Sequence, residues 1–371
     1  MILGFDAKRA FFNRSGLGNY SRSTINLLSE NFSANKYYLY SPKIRKSIDY
    51  KINSNVEICL PDSVFGKLVP HLWRSSGITS QLKRDGIQLF HGLSNEIPSG
   101  LDKANIPSVV TIHDLIFLRY PDFYKSHDRK IYLYKFDSAC KRADRIIAIS
   151  EQTKTDIVEF LGIDQAKIDV VYQGCDERFY KAESDIRKKE IITKYSLPSQ
   201  YILSVGTIEE RKNLLNVVKA LHSHNIDIPL VVVGRETAYA DEVKNFIADN
   251  QVENIHFLAN VPMNDLPGLY QMAEIFMYPS VFEGFGIPIL EALNSKVPVV
   301  TSLGSCFPEA GGKSSIYVNP SEPEEIADAI IRILTNNQLK QNMVIDGYLH
   351  AQQFRQDKVA QNLMRVYKKL I

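Results

Sequence analysis

Short apolar runs alternate along the chain with longer segments in which apolar residues recur at helical spacing. The runs are rich in β-branched residues and hold few polar positions, which is typical of strands buried on both faces of a sheet. Because strands and helices alternate, the pattern predicts parallel α/β sheets. In the first half, strands are predicted at residues 2–6, 37–41, 88–91, 108–113, 145–150 and 169–172. In the second half, they are predicted at residues 201–205, 229–233, 255–258, 275–278, 297–301 and 316–318.

The two series of strands predict two domains. Each series is typical of a doubly wound parallel sheet of the Rossmann type, so the fold class is α/β. A polar, charged stretch separates the series near residues 176–198, and we place the domains at residues 1–178 and 190–354. Apolar positions near helical spacing in residues 355–371 predict an amphipathic closing helix. The simplest arrangement has the two sheets facing each other across a cleft.

Composition and charge exclude several classes of protein. The 371 residues are 44% apolar and 23% charged, as in ordinary globular domains, and the formal net charge of +2 does not favour nucleic acid as a partner. Cys59, Cys140, Cys175 and Cys306 are too widely spaced for a metal site or a disulfide framework. We find neither a signal peptide pattern nor an apolar run of about 20 residues. We therefore expect a cytoplasmic protein that holds no metal.

Candidate chemistry gathers where the predicted strands end. In open α/β sheets, ligands bind beyond the carboxyl ends of the strands. Small, polar and imidazole residues occupy these positions, whereas the strands themselves stay apolar. The segments concerned begin at Ser15, His91, His113, Ser150, Gly206, Gly234, Ser280 and Ser302.

The segment EGFGIPILE, from Glu283 to Glu291, is the most specific of these. Pro288 suits the first position of a helix, which leaves Glu283 in the preceding loop and Glu291 one turn inside the helix. Gly284 and Gly286 leave backbone amides uncovered at the positive end of that helix. Two carboxylates and a set of amides suit a polyhydroxylated ligand that also carries an anion.

Two adjacent cations, Arg211 and Lys212, follow the first strand of the second half. The fork of an arginine and the point charge of a lysine together neutralise a diphosphate. In the first half, His113 ends its strand and places an imidazole at the corresponding edge, and His91 has the same placement.

The loop predicted after the first strand, with Gly16 and Gly18, is a weaker signal. It lacks the third glycine of the dinucleotide fingerprint, and no acidic residue follows the second strand in the expected context, which disfavours NAD. Such glycines still allow backbone N–H groups to approach a phosphate or a sugar.

Taken together, these blocks resemble glycosyltransferase family 4, the retaining enzymes with two Rossmann-like domains known as the GT-B fold. The resemblance covers nearly the whole chain, and EGFGIPILE matches the most specific motif of that family. The block VGTIEERKNL resembles the subgroup rich in mannosyltransferases of surface-polysaccharide assembly. The other matching blocks are SGLGNY, HDLIFLRYPDFY, IIAISEQTKTDI, VYQGCDERF and SCFPEAGG.

The resemblance implies a role for each candidate residue. Arg211 and Lys212 match the pair that binds the donor diphosphate, Glu283 matches the carboxylate on the transferred sugar, and Glu291 matches the residue on the ribose hydroxyls. His113 matches a histidine near the donor sugar and the acceptor. The remaining implied donor-binding residues are Gly16, Gly18, Gly206, Asn260, Val261, Phe285, Gly286 and Ile287. The closing helix is implied to return to the first domain.

The resemblance also implies the reaction. A hexose, here expected to be mannose from GDP-mannose, moves with retention to a saccharide or lipid-linked saccharide acceptor in polysaccharide biosynthesis. The departing phosphate takes the acceptor's proton, and no cofactor or metal is needed because Arg211 and Lys212 neutralise the leaving group.

Three alternatives remain open at this point. A glycoside hydrolase would use Glu283 and Glu291 as its carboxylate pair, but it leaves the cations Arg211 and Lys212 unexplained. An inactive nucleotide-sugar-binding scaffold is expected to have lost Glu283 or the cations, and both are present. An NAD-dependent dehydrogenase is disfavoured by the incomplete glycine fingerprint.

Residues 64–83 raise the further expectation of peripheral contact with a membrane. This segment carries the only tryptophan, Trp73, close to Lys67, Arg74 and Lys83. An apolar face with basic neighbours and an interfacial tryptophan suits a lipid surface. The competing interpretation is that apolar residues of this segment pack into the core of the first domain, namely Leu68, Val69, Leu72 and Trp73.

Overall fold

The computed structural model describes residues 1–13, 16–45 and 50–371, except for the side chain of Phe65. The chain forms two compact units, residues 1–173 with 356–371, and residues 174–355. The first unit ends earlier than residue 178, where we placed the boundary. The thiol of Cys175 lies 3.9 Å from the carbonyl oxygen of Leu290 and 3.3 Å from Nδ2 of Asn294, so this segment packs with the second unit.

The described part of the first unit contains a seven-stranded parallel sheet in the order β3-β2-β1-β4-β5-β6-β7. Its strands are β1 (Ile2–Asp6), β2 (Lys36–Tyr40), β3 (Val56–Cys59), β4 (Leu89–Gly92), β5 (Ser108–Ile112), β6 (Arg145–Ala148) and β7 (Ile168–Val170). The six predicted strands are present. The sequence analysis missed β3, a strand at the edge of the sheet in which exposed Glu57 interrupts the apolar run.

Helices cover both faces of this sheet. They are α1 (Lys8–Phe12), α2 (Gly16–Asn31), α3 (Val64–Leu68), α4 (Pro70–Leu72), α5 (Ile78–Arg84), α6 (Ile116–Arg119), α7 (Ser126–Arg142) and α8 (Glu151–Leu161). Short turns of 3-10 helix span Pro121–Phe123 and Gln165–Lys167, and a π-helical turn spans Trp73–Gly77.

The closing helix completes the first unit. It spans Gln356–Tyr367 and is numbered α17 below, after the helices of the second unit. Val359, Leu363 and Tyr367 are buried in one cluster with Leu3 and Leu89 from the central strands. The first unit is therefore built from both ends of the chain.

The second unit, all of whose residues are described, contains a six-stranded parallel sheet in the order β10-β9-β8-β11-β12-β13. Its strands are β8 (Ile202–Val205), β9 (Leu230–Val233), β10 (Ile255–Leu258), β11 (Ile275–Tyr278), β12 (Val299–Ser302) and β13 (Ile316–Val318). These are the six predicted strands. Its helices are α9 (Asp185–Tyr195), α10 (Leu214–Ser223), α11 (Tyr239–Asp249), α12 (Leu266–Gln271), α13 (Ile287–Asn294), α14 (Phe307–Gly311), α15 (Pro323–Thr335) and α16 (Asn337–Ala351), and 3-10 turns span Glu177–Tyr180, Glu210–Lys212 and Gln352–Phe354.

Each sheet has a point where the direction of strand addition reverses. In the first unit it lies between β1 and β4, and in the second between β8 and β11. Ligands of open α/β sheets bind in the crevice at the carboxyl ends of such strands. The segments that follow these four strands are therefore the places where functional side chains are expected.

None of the helices in the described ranges is both long and apolar enough to cross a membrane.

Candidate functional site

A buried ion cluster lies at the switch point of the second sheet. Arg211 and Lys212 sit in the 3-10 turn after β8, and Glu283 lies in the loop after β11. Oε1 of Glu283 is 2.5 Å from Nζ of Lys212 and 2.7 Å from Nη1 of Arg211. The side chains are only 12% exposed for Glu283 and 17% for each cation. Neighbouring strands thus bring Glu283 to two adjacent cations, of which Lys212 lies 71 positions earlier in the chain.

Backbone contacts fix the two loops of the cluster to each other. Nη1 of Arg211 donates to the carbonyl oxygen of Phe282 at 2.6 Å, and the amide of Val281 donates to the carbonyl oxygen of Arg211 at 2.8 Å. Nη2 of Arg211 also donates to Oε1 of Glu209 at 2.6 Å. The guanidinium is therefore held in one orientation, and two carboxylates balance the two cations.

The charges in this cluster shift one another's pKa. Burial alone would raise the pKa of Glu283, but Lys212 and Arg211 outweigh it and lower that pKa to about 2. Burial lowers the pKa of Lys212, with Glu283 acting in the opposite direction. Burial also acts to lower the pKa of Arg211, and Glu283 reverses this and raises it. Glu283 is therefore an anion at every physiological pH.

Tyr278, at the end of β11, is a member of the cluster that sequence reasoning missed. Nζ of Lys212 donates to its hydroxyl at 2.6 Å and lies 4.6 Å from the centre of its ring. Burial, followed by the charge of Glu283, raises the pKa of Tyr278 well above its usual value, so the phenol stays protonated. Its position as the last residue of a predicted strand, directly before the glutamate loop, was the available signal.

Gly206 follows β8 and lies beside the side chain of Lys212. Its φ of +152° is one that L side chains rarely adopt, and a Cβ there would lie 3.6 Å from Cε of Lys212. A Cβ on Gly234, after β9, would lie 1.8 Å from the carbonyl oxygen of Gly206. Two adjacent strand ends thus approach each other at a distance that only glycine allows.

The start of α13 carries the amides predicted for the glutamate loop. Gly286 precedes the helix with a φ of +113°, Ile287 is its first residue and Pro288 its second, one position later than predicted. Phe285 is buried, with its ring 5.5 Å from that of Phe354. The thiol of Cys306 donates to the carbonyl oxygen of Phe285 at 2.9 Å and therefore fixes the loop from the neighbouring strand end.

Glu291 lies within α13 and accepts a hydrogen bond from the hydroxyl of Tyr270 at 2.9 Å. Desolvation raises the pKa of Glu291 to about 7, with the charge of Asp176 adding to the effect and the bond from Tyr270 opposing it. The two carboxylates of the EGFGIPILE segment therefore titrate in very different ranges. Tyr270 is a second tyrosine that sequence reasoning did not single out.

Asn260 and Val261 follow β10 at the edge of the second sheet. Asn260 is exposed and has a φ of +54°, and Val261 is half-buried. Within the second unit, no hydrogen bond or ion pair of their side chains joins them to the ion cluster. The structure places both residues in the predicted loop.

In the first unit, His113 is buried directly after β5. Its Nε2 donates to the carbonyl oxygen of Leu93 at 2.9 Å, and its amide donates to Oδ1 of Asn95 at 3.0 Å. Desolvation lowers the pKa of His113 to about 4, with the bond to Leu93 opposing and the charge of Arg9 contributing. The imidazole is therefore neutral at pH 7, and Nδ1 is its acceptor.

Gly16 and Gly18 lie in the first turn of α2, where we had expected a loop, and Ser15 lies outside the described residues. A Cβ on Gly18 would stand 1.9 Å from the carbonyl oxygen of Asn13, so the helix and the preceding segment cross too closely for any other residue. No described atom lies within 4 Å of a Cβ placed on Gly16. The need for glycine is thus structural at position 18 only.

His91 belongs to a buried chain of hydrogen bonds. Its Nδ1 lies 2.7 Å from the hydroxyl of Tyr367 in α17, and its Nε2 lies 2.8 Å from Oγ1 of Thr111. Thr111 in turn bonds Tyr20, whose ring meets that of His113 edge-on at 4.6 Å. Desolvation lowers the pKa of His91 to about 3. His91 therefore connects the closing helix to the surroundings of His113.

Two family models match the chain on either side of its domain boundary. One, "Glycosyltransferase Family 4", matches residues 22–179, and the other, "Glycosyl transferases group 1", matches residues 185–350. The chain is a family 4 glycosyltransferase.

Curated relatives of this glycosyltransferase include mannosyltransferases. It is 28% identical to the O-antigen chain mannosyltransferase B of Escherichia coli, over 76% of its own chain and 74% of the relative. It is 30% identical to the O-antigen chain mannosyltransferase RfbU of Salmonella typhimurium, over 60% of each chain. It also matches WbdA of Escherichia coli, a serotype-specific mannosyltransferase, at 28% identity, but spans only 32% of that longer protein.

Solved structures establish the fold of the glycosyltransferase. Anabaena HepE, solved with UDP and glucose, aligns over 99% of both chains with a TM-score of 0.77 at 18% identity. WaaG, a glycosyltransferase involved in lipopolysaccharide biosynthesis, aligns over 99% of both chains with a TM-score of 0.71 at 15% identity. The two units described above are the Rossmann-like halves of the GT-B fold.

One feature of the glycosyltransferase corrects the sequence analysis of residues 64–83. Trp73 is 2% exposed and its indole N–H donates to Oε1 of Gln81 at 3.3 Å, so it is a core residue and cannot reach a lipid surface. Val64 and Leu68, by contrast, are each 76% exposed, although we had considered Leu68 for the core. Trp73 begins a π-helical turn, which apolar periodicity does not reveal.

No cluster of three or more potential metal ligands occurs in residues 1–13, 16–45 and 50–371.

Proposed function

We propose that the enzyme is a retaining hexosyltransferase that moves mannose from GDP-mannose to a saccharide or lipid-linked saccharide in polysaccharide biosynthesis. The observation that supports a nucleotide-diphosphate donor is the buried cluster of Arg211, Lys212 and Glu283. The choice of mannose rests on the mannosyltransferases among the relatives and on the VGTIEERKNL block.

Donor binding requires the cluster to exchange partners. Arg211 and Lys212 are balanced by Glu283 and Glu209 before a donor arrives. A diphosphate brings at least two negative charges, which the two cations attract more strongly than the single charge of Glu283. Glu283 is then released to accept hydrogen bonds from the hydroxyl groups of the donor sugar.

The chemical step breaks the bond between the anomeric carbon and the leaving phosphate oxygen. The electron pair stays on the nucleoside diphosphate, where Arg211, Lys212 and the amides around Gly286 stabilise the charge in a water-poor site. The acceptor hydroxyl attacks the same face that the phosphate leaves, and the departing phosphate oxygen takes its proton. The cations supply the neutralisation that a metal supplies elsewhere, so the reaction proceeds without one.

The other predicted residues hold the donor in this proposal. Glu291 accepts the ribose hydroxyls, and the backbone of Asn260 and Val261 contacts the base. The start of α2 at Gly16 and Gly18 approaches the diphosphate, and Gly206, Phe285 and Ile287 shape the pocket. His113, neutral at pH 7, accepts a hydrogen bond through Nδ1 near the transferred sugar.

The geometry bears on two of the three alternatives, the glycoside hydrolase and the inactive scaffold. A glycoside hydrolase needs two carboxylates that face a glycosidic bond, whereas Glu283 is tied to two cations. An inactive scaffold does not need a buried lysine, whereas here Lys212 is buried in contact with Glu283 and Tyr278. Both arguments favour transfer.

A thermal-shift panel of nucleotide sugars tests the proposal. A donor present at about 100 times its dissociation constant adds roughly 2.7 kcal/mol to the free energy of unfolding. We expect GDP-mannose to raise the melting temperature, and GDP alone to do so as well. Stabilisation by UDP-sugars but not by GDP-mannose contradicts the donor and leaves the class standing, and no response to any nucleotide sugar contradicts the class.

We also propose peripheral membrane contact through α3 and α4. Val64 and Leu68 are each 76% exposed, Leu72 is 51% exposed, and exposed Lys67 lies among them. Apolar side chains beside a cation suit an anionic lipid surface. We expect co-sedimentation with anionic liposomes at low salt, loss of binding in a Leu68→Ser/Lys67→Ala variant, and no change in Trp73→Phe. No sedimentation of the wild type at low salt contradicts this contact.

A further inference from the structure

Lys212 has two partners of different kinds in the buried ion cluster of the second unit. Its Nζ lies 2.5 Å from Oε1 of Glu283 and donates to the hydroxyl of Tyr278 at 2.6 Å. The ammonium also lies 4.6 Å from the centre of the tyrosine ring. Because an ammonium has three N–H donors, these two bonds leave one donor for a ligand. The function proposed above uses Lys212 and Glu283 but assigns no role to Tyr278.

The two partners of Lys212 stand on different kinds of structure. Tyr278 is the last residue of β11, where its ring lies 5.8 Å from that of Phe276 and 6.4 Å from that of Phe307. Its carbonyl oxygen accepts a hydrogen bond from Oγ1 of Thr301 in β12 at 2.8 Å. Glu283, in contrast, extends from the loop between β11 and α13. Side chains on a packed strand are positioned more firmly than those on a loop, so the tyrosine hydroxyl is the fixed partner.

The two partners also differ in charge. Burial, followed by the charge of Glu283, raises the pKa of Tyr278 well above its usual value, so the hydroxyl is neutral. Glu283 is an anion. An incoming diphosphate repels the carboxylate and competes with it for the ammonium, whereas it does not repel a neutral hydroxyl. The bond between Lys212 and Tyr278 can therefore persist while the bond to Glu283 is exchanged.

The stem of Lys212 is confined as well. A Cβ on Gly206 would lie 3.6 Å from Cε and 3.8 Å from Cδ of Lys212, so the backbone after β8 lies along the stem, and the ring of Tyr278 lies beside its end. A lysine side chain loses much rotamer freedom when it is ordered, and this loss weakens binding if it occurs only when the ligand arrives. Lys212 is ordered before the ligand arrives.

We propose that Tyr278 is a positioning residue, whose hydroxyl holds the ammonium of Lys212 on the donor diphosphate after Glu283 has turned to the donor sugar. This inference rests on the proposed function, in which Lys212 stabilises the departing diphosphate. In this role Tyr278 acts through Lys212 alone. Phenylalanine at this position keeps the aromatic ring beside the ammonium but removes the hydrogen bond, so Tyr278→Phe is the informative change.

A double-mutant cycle on diphosphate binding tests the role. Calorimetry measures the dissociation constants of inorganic pyrophosphate and GDP for the wild type, Tyr278→Phe, Lys212→Met and the double variant. We expect Tyr278→Phe to weaken pyrophosphate binding about tenfold, since a hydrogen bond to a charged group contributes roughly that factor. In the Lys212→Met background, the same change is expected to have an effect below about twofold.

Tyr201→Phe is the matched control. Tyr201 is as buried as Tyr278, and its hydroxyl donates to the carbonyl oxygen of Leu269 at 2.7 Å, within the same unit. The control therefore also removes one buried tyrosine hydroxyl and its hydrogen bond. We expect pyrophosphate to bind Tyr201→Phe as it binds the wild type, and an equal loss in this control contradicts the inference.

The loss of binding at alkaline pH is a readout that altered packing alone does not move. Burial lowers the pKa of Lys212, Glu283 opposes this effect, Arg211 adds to it and Glu209 opposes it. These three charged groups are the same in the wild type and in Tyr278→Phe. Loss of an acceptor destabilises the ammonium, so we expect pyrophosphate affinity to fall about one pH unit earlier in Tyr278→Phe as pH rises. The titration of pyrophosphate itself is common to both proteins and cancels.

The outcomes separate this role from the proposed function. If pyrophosphate binds and the two losses add in the double variant, or if the alkaline fall does not move, Tyr278 does not act through Lys212 and the inference is overturned. If Lys212→Met binds too weakly to measure, the alkaline fall decides. Failure of the wild type to bind pyrophosphate and every nucleotide sugar contradicts the proposed function. The same four proteins, compared by their free energy of unfolding without ligand, then show whether the bond between Tyr278 and Lys212 exists, because additive losses there exclude it.

Discussion

The carboxyl edges of the two sheets both carry adjacent cations. Those of the second sheet are paired with carboxylates, whereas those of the first sheet form no ion pair among the described residues. In the second unit, Arg211 and Lys212 are matched by Glu283 and Glu209 within 2.7 Å. In the first unit, Lys8 and Arg9 stand beside carboxylates that other cations already occupy. A balanced cluster is stable when empty and must exchange partners to bind, whereas an unbalanced one gains stability from the anion itself.

The largest expected effect comes from removing the balanced cations. We expect Arg211→Ala and Lys212→Ala each to lower turnover by about a hundredfold or more, because each stabilises the leaving diphosphate. Turnover with the donor found in the panel measures this, with near-UV circular dichroism as the check on folding. Lys244→Ala, which removes an exposed cation of the same unit, is the control and should retain activity. Near-normal turnover in both site variants contradicts the role.

The next largest effect is on the stability of the first unit. In Gly18→Ala, the new Cβ meets the carbonyl oxygen of Asn13 at 1.9 Å, so the segment before α2 must shift. Overpacking of this kind costs about 1–3 kcal/mol, and each kcal/mol lowers the melting temperature by roughly 2–4 °C. Gly16→Ala meets no described atom within 4 Å and should melt like the wild type. Equal melting of both variants shows that the close approach does not exist.

In the second unit, the affinity for nucleoside diphosphate is expected to change about tenfold with pH. Desolvation raises the pKa of Glu291 to about 7, so the carboxylate that accepts ribose hydroxyls is largely protonated at pH 6 and ionised at pH 8. We expect nucleoside diphosphate affinity to rise about tenfold over this range. Calorimetry at pH 6, 7 and 8 measures it, and Glu291→Gln separates this dependence from the titration of the phosphate, whose own pKa is near 6. An identical pH dependence in Glu291→Gln argues against the ribose role.

The raised pKa of Glu291 also predicts how the free energy of unfolding changes with pH. The folded pKa of Glu291 lies above the usual value of 4.5, so its contribution to stability falls as pH rises from about 4.5 through 7. Glutamine does not titrate, so the Glu291→Gln variant does not lose stability in this way. Its free energy of unfolding is therefore expected to rise relative to that of the wild type as the pH increases from 5 to 8.

The smallest expected effect tests whether Glu209 competes with an incoming diphosphate for Arg211. Glu209 accepts from Arg211 at 2.6 Å and is about one third exposed, so it competes only weakly with an incoming diphosphate. We expect Glu209→Gln to tighten nucleoside diphosphate binding a few-fold. Glu236→Gln, which loses an exposed ion pair elsewhere in the unit, serves as the control. Weaker binding in Glu209→Gln shows that this carboxylate orients the arginine instead of competing for it.

Strands and the motifs that follow them were predictable from sequence because parallel strands buried on both faces have a simple apolar signature. The strand Val56–Cys59 escaped because it lies at an edge, where Glu57 is exposed. Arg211, Lys212 and Glu283 were predictable as a group since all three follow strands that meet at the switch point. The ion pairs among these three residues were not predictable, because they depend on distances between side chains in the folded protein.

Other features depended on tertiary packing alone. Tyr278 and Tyr270 lie on core elements, where a tyrosine is indistinguishable in sequence from any other buried aromatic residue. The start of α2 was predicted as a loop because it follows the first strand and carries two glycines, whereas a crossing carbonyl demands glycine at position 18. Trp73 combined an apolar segment with basic neighbours, and only the structure shows that its indole points into the core.

The closing helix has a consequence for the order in which the protein matures on the ribosome. Residues 174–355 are contiguous, so the second unit has all its parts once Arg355 has been synthesised. The first unit must keep an apolar face around Leu3 and Leu89 uncovered until Val359, Leu363 and Tyr367 emerge. Domains made first usually fold first. Here the unit whose translation begins first is completed after the other, and the hydrogen bond between His91 and Tyr367 forms only once Tyr367 has been synthesised.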